Sequence, residues 1–187
     1  LTYRTGQVSV PESTTITTPG GLSATISLEK LVELTGNNYE TYQPSMLTKV
    51  TDKVSINDRT SSSVYDVAAK TITTTSAADR QSVSYLDDKG RVIKEQVPGL
   101  VDVYYNYDSR GRLTEVRQGE GELARTTTFS YDDNGGYLKS VVDALGRTET
   151  YNHGAIGRIT TQKRVDGREI HYSYDANGNL TSITPPG

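Results

Sequence analysis

The amino-acid sequence predicts an all-β fold, an array of antiparallel β-hairpins, and three observations predict it. Gly146, Gly157, Gly167 and Gly178 recur at intervals of 11, 10 and 11 residues, each closing a short polar turn behind a mostly apolar or Thr-rich run. Upstream, Gly90 and Gly111 carry the same turn signal one double period, 21 residues, apart. The 187 residues hold 13 Tyr, one Phe and no Trp, with only 33% hydrophobic types, which points to a thin core spread along a sheet face. A fixed period of this length means that each unit buries its apolar side only against its neighbours.

Each period reads as one strand and one turn. Asp at the first turn position accepts from the backbone ahead of it, and Gly takes the left-handed conformation that a residue with a Cβ enters at a cost. Loops of three to five residues built this way join antiparallel strands and leave a bulge. Between the turns, Ile170 to Tyr174 and Leu180 to Ile183 place apolar or aromatic residues at strand spacing.

Taken in order, residues 1–26 are rich in Thr and Ser, with turns marked by Pro11, Pro19 and Gly20-Gly21. Ser27 to Leu34 fits either two helical turns or a strand, and its Thr-rich approach favours strand. Asn37 to Ser45 is the least patterned stretch and reads as a long loop or an interaction site. Val54 to Val64 forms a hairpin with Asn57-Asp58 in its turn, since both tolerate positive φ. Asp79 stands where the repeat would have Gly, and Val97 to Val101 and Gly119 to Glu122 are further connections, the second acidic. Residues 1–80 are thus divergent Thr-rich strands of the array that residues 81–187 continue.

The segments Tyr107-Asp108-Ser109-Arg110-Gly111-Arg112-Leu113, Tyr131-Asp132-Asp133-Asn134-Gly135 and Tyr174-Asp175-Ala176-Asn177-Gly178 resemble the YD repeat of Rhs-type proteins. Degenerate copies stand at Tyr85, Val142-Asp143 and Tyr151-Asn152. The resemblance covers residues 80–187, and residues 14–80 more weakly. It implies a curved sheet or hollow β shell that encloses a C-terminal toxic domain in Rhs effectors and insecticidal toxin complexes, and that forms part of an adhesion receptor in teneurins. The repeat positions are Tyr107, Asp108, Gly111, Tyr131, Asp132, Gly135, Asp143, Gly146, Tyr151, Gly157, Gly167, Tyr174, Asp175 and Gly178. Tyr107, Tyr131, Tyr151 and Tyr174 are expected at equivalent places just before their turns, forming a ladder. Gly111, Gly146, Gly157 and Gly178 are expected at positive φ.

Chemistry is sparse. His153, expected in a turn, and His171, in a strand, lack companion ligands at metal spacing. Asp132 to Gly136 and Asp175 to Asn179 resemble calcium loops but fall short of the EF-hand count, and turn chemistry accounts for their Asp and Asn. No Gly-x-Ser-x-Gly or phosphate loop is found, so no catalytic residue, metal or cofactor is expected. The Arg that follows each Gly (Arg91, Arg112, Arg147, Arg158, Arg168) is expected to lie across a tyrosine or to pair with a turn Asp rather than to hold a ligand. A net charge of -3 gives no nucleic-acid footprint, no apolar run approaches a membrane span, Leu1-Thr2-Tyr3-Arg4 is not a signal peptide, and zero Cys excludes disulfides. The expected role is structural, in a secreted, extracellular or cell-surface setting. Expected partners are other repeats of the same chain or neighbouring copies through open edges near Thr14 to Thr18 and Leu180 to Thr184, together with a polypeptide cargo or a surface glycan.

Overall fold

The computed structural model describes residues 12–36 and 43–186, so the readings of Leu1 to Pro11 and of residues 37–42 lie outside the described residues. The chain divides into two compact units, Leu1–Asp102 and Val103–Gly187. In the first unit, β1 (Ser13–Thr17), β2 (Ser23–Leu34), β3 (Leu47–Ile56), β4 (Arg59–Asp66), β5 (Thr71–Thr75), β6 (Gln81–Leu86) and β7 (Val92–Gln96) each pair antiparallel with the next. The second unit repeats the plan with β8 (Val103–Tyr107), β9 (Leu113–Gln118), β10 (Arg125–Tyr131), β11 (Leu138–Val142), β12 (Thr148–His153), β13 (Ile159–Lys163), β14 (Glu169–Tyr174) and β15 (Leu180–Thr184). The fold is all-β, as the sequence predicts, and Ser27 to Leu34 is strand.

The short turns are made by one device used many times. In the turn Asp108 to Arg112, the Asp108 N–H donates to the Arg112 carbonyl at 2.9 Å and the Gly111 N–H to the Asp108 carbonyl at 3.0 Å. Gly111 has φ 85°, the left-handed residue that lets a right-handed turn close onto two antiparallel strands. The same pair of bonds closes turns that begin at Thr18, Ser76, Asp87, Asp143, Gly154, Arg164 and Asp175. Asp79 takes the left-handed position with φ 57°, and Asn57 and Asp58 at φ 48° and 64° close the two-residue β3–β4 hairpin.

Gly111, Gly146, Gly157 and Gly178 all have positive φ, and the turn after β10 differs from theirs in length. Gly135 is not among the positive-φ residues; Gly136 is, with φ 73°. The turn after β10 is one residue longer, the Asp132 N–H reaching the Tyr137 carbonyl, so the left-handed position moves along by one.

Strand register sorts the side chains onto two faces, because successive residues of a strand point to opposite sides. In the second unit Tyr105, Tyr107, Val116, Phe129, Tyr131, Val141, Tyr151, His153, Ile170, Tyr172 and Tyr174 share one face, while Thr126, Thr128, Ser130, Ser140, Thr150, Thr161, Ser173 and Ser182 share the other. The first unit gathers Ile26 with Ile56 and Leu28 with Val54 on one face, and sets Glu29 against Lys53 at 3.1 Å on the other. Among the described residues only Leu86 is buried, so the core is a half-covered sheet face without an enclosed interior.

Candidate functional site: the joints between hairpins

No group of three or more His, Asp or Glu able to hold a metal exists among the described residues. A groove of about 560 Å³ in the first unit is lined by Val54, Ile56, Asn57, Arg59, Ser61 and Ala77 and holds no acid–base pair. The chemistry of the chain is concentrated instead at its turns and at the contacts that each hairpin makes with the next.

Within a turn, the first side chain closes the backbone. Asp108 Oδ1 accepts from the Arg110 and Arg112 N–H groups, both at 2.9 Å, and its Oδ2 accepts from Arg112 Nε at 2.7 Å. Asp87 with Arg91 and Asp143 with Arg147 repeat this three-point grip. The Arg112 N–H and then its guanidinium hold Asp108 below the ordinary carboxylate value; for Asp143 the Arg147 side chain leads, and for Asp175 the Asn179 amide. At Asp132 burial pushes the carboxyl up, but N–H groups of Gly135, Gly136 and Tyr137 outweigh it and the group is lowered.

Between hairpins, a second contact recurs. The Arg112 guanidinium lies 4.4 Å from the centre of the Tyr131 ring, and the Tyr131 hydroxyl donates to the Leu113 carbonyl at 2.7 Å. One hairpin pair later, Arg158 lies 5.6 Å from the Tyr174 ring, whose hydroxyl donates to the Ile159 carbonyl at 2.9 Å. The cation is drawn to the negative face of the ring, and the hydroxyl ties the ring to the residue just after the cation. The next turn's glycine completes the joint: a Cβ on Gly136 would meet Arg112 Nη1 at 3.0 Å, and one on Gly178 would run into the Arg158 guanidinium. Burial follows from this cover, with Arg112 27% exposed and Arg147, whose turn has no such neighbour, 58%.

The joint between these two keeps the geometry with different residues. Tyr137 occupies the exit position that Arg holds elsewhere and stacks on His153, ring centres 5.2 Å apart and 26° from parallel. A Cβ on Gly157 would run into the Tyr137 ring. His153 therefore belongs to the end of β12, not to a turn, and takes the place of the pre-turn tyrosine.

The pre-turn places are fixed by a register shift just before each of these turns, at Leu86, Tyr107, Tyr131, His153 and Tyr174. Tyr151 shares the face but pairs with Gln162, two residues before the equivalent place. Burial, with the nearby Glu149, pushes its hydroxyl up to about 12. Asp143, Gly146 and Gly167 sit in turns at the opposite end of the strands, where their glycines have open space. The Arg91, Arg147 and Arg168 guanidinium groups pair with turn carboxylates, Arg158 lies on a ring, and Arg112 does both. His171 lies on the polar face, beside Thr161 at 3.2 Å.

Tyrosine before the turn, aspartate opening it and glycine covered by the previous hairpin recur at Tyr131 to Gly136 and Tyr174 to Gly178, and residues 2–187 of the chain match the teneurin YD-shell family. The chain belongs to the teneurin YD-shell family. A YD-shell chain is a structural element, and these joints add side-chain contacts to the strand pairing that links one hairpin to the next. The chain is also similar to the tRNA nuclease WapA of Bacillus subtilis (strain 168), 27% identical over 79 residues. That stretch is 42% of this chain and 3% of WapA. No helix among the described residues is long and apolar enough to cross a membrane.

Proposed function

We infer that this YD-shell chain serves as a wall segment of an exported shell that encloses or presents another polypeptide, a toxin-type cargo being the leading case. The observation that carries the reading is the repeating joint: each hairpin is finished only by its neighbour, a construction suited to extending a wall and not to building a pocket. The similarity to a stretch of WapA, a tRNA nuclease, supports a setting in which such a wall accompanies a toxic activity housed elsewhere in the polypeptide. The second reading, a self-assembling or adhesive surface protein that binds glycans or its own copies, is favoured by the exposed strands β1 and β15. Limited proteolysis of the whole encoded polypeptide separates the two. A shell protects a flanking polypeptide, and Tyr131→Ala with Tyr174→Ala exposes it; flanking sequence cut equally fast with and without these changes would overturn the shell reading. Growth of the particle with concentration and no protected flank would favour assembly.

A further inference from the structure

The turn Gly154 to Arg158 has the same backbone as its sister turns and lacks their side-chain acceptor. The Gly154 N–H donates to the Arg158 carbonyl at 2.8 Å, the Gly157 N–H to the Gly154 carbonyl at 2.9 Å, and Gly157 has φ 78°. In the sister turns opened by Asp87, Asp108 and Asp143, a carboxylate sits across the mouth of this backbone, bonded to the third and fifth N–H groups and to the fifth residue's guanidinium. Ser76 and Thr18 supply a hydroxyl to the fifth N–H, Asp175 a carboxylate, and Asp166 serves the turn opened by Arg164. Glycine at position 154 supplies nothing, and among the described residues neither the Ile156 nor the Arg158 N–H has a protein acceptor.

A second observation concerns the cation. Arg158 is half-buried against Tyr174 and Gly178, and among the described residues no carboxylate lies within ion-pair distance of it. Its Nη1 is buried without a hydrogen-bond partner. Arg112 likewise turns a buried, unpaired Nη1 to the next hairpin, while its Nε bonds to Asp108. The 154–158 turn thus keeps the backbone of its sisters, two N–H groups without a side-chain acceptor and an Arg at the fifth position, the residues that grip a carboxylate in the turns opened by Asp87, Asp108 and Asp143.

We propose that the turn Gly154 to Arg158 binds a carboxylate supplied from outside the turn, held by the Ile156 and Arg158 N–H groups and the Arg158 guanidinium. The carboxylate can come from a small organic acid or from an acidic side chain of another polypeptide. Titration of the ¹⁵N-labelled 187-residue chain with sodium acetate, against sodium chloride at equal ionic strength, tests it. Acetate should shift the Ile156 and Arg158 amides and Arg158 Nε saturably and leave Leu145 and Arg147, already served by Asp143, unmoved. Gly154→Ala keeps the donors and should keep the response. Gly154→Asp restores the carboxylate of the sister turns and should abolish it; a Cβ there meets Thr160 Cγ2 at 3.4 Å, so the variant fits. An unsaturable shift, an equal response to chloride, or a response that survives Gly154→Asp would overturn the proposal. An acetylated Asp tetrapeptide amide and its Asn counterpart identify the source. Saturation by the Asp peptide at a tenfold lower concentration than acetate points to a polypeptide side chain, and equal concentrations point to a small acid.

Discussion

At the scale of single residues, turn glycines with the same φ do different work. Gly167 at φ 83° faces open space, whereas Gly178 at φ 82° lies under the Arg158 guanidinium. Gly167→Ala should therefore cost only the left-handed penalty, about 1–2 kcal/mol. Gly178→Ala should cost more and should also displace Arg158 from Tyr174; denaturant midpoints of the two variants at constant slope check the order. The turn carboxylates make a second prediction. Asp87, Asp108, Asp143 and Asp175 are lowered in the folded chain, so the folded state binds fewer protons than the unfolded one as acid is added. Their contribution is complete above the unfolded value of 3.8 and is lost as pH falls through the folded values. Stability should decline below about pH 4. Asp108→Asn should flatten that decline in a denaturation series from pH 7 to pH 2.5.

At the scale of the hairpin, the joint is the unit of stability. Tyr174→Phe removes one hydroxyl bond to the Ile159 carbonyl and should cost roughly 1 kcal/mol. Hydrogen exchange should then quicken in β14 and β15 and stay unchanged in β8 and β9, as nearest-neighbour coupling requires. The Tyr137–His153 stack offers a sharper test: Tyr137→Arg with His153→Tyr rebuilds the cation–ring pair of the flanking joints. The double variant should be more stable than the two single changes add up to, by at least about 0.5 kcal/mol. Much of this level was legible in the sequence, because Gly and Asp announce each turn and the spacing announces each strand. The joints were less so. Leu86, Tyr107, Tyr131, His153 and Tyr174 are equivalent only through a register shift in pairing, which leaves no mark along the chain, so Tyr151 was placed in the ladder and His153 in a turn. Gly135 keeps the repeat spacing from Tyr131, but the left-handed place falls on Gly136 because this turn is one residue longer. The exchange of an Arg–Tyr pair for a Tyr–His pair was hidden because its two members lie 16 residues apart.

At the scale of the whole molecule, β1 and β15 stand apart from the other strands. All five residues of β1 and of β15 are exposed, with Ile16 at 57% and Ile183 at 56%. Unpaired strand edges recruit other strands. The chain should therefore associate as concentration rises, and Ile183→Lys should weaken this, as sedimentation equilibrium can measure. The joints add an order to the assembly. Within the second unit Arg112 reaches forward onto Tyr131, Tyr137 onto His153 and Arg158 onto Tyr174, so each of these side chains seats the hairpin that follows its own. A ribosome releases the chain in that same sequence. Each of these hairpins, on leaving the exit tunnel, finds its seat already built, and this stretch of wall can be laid course upon course without waiting for its last residue.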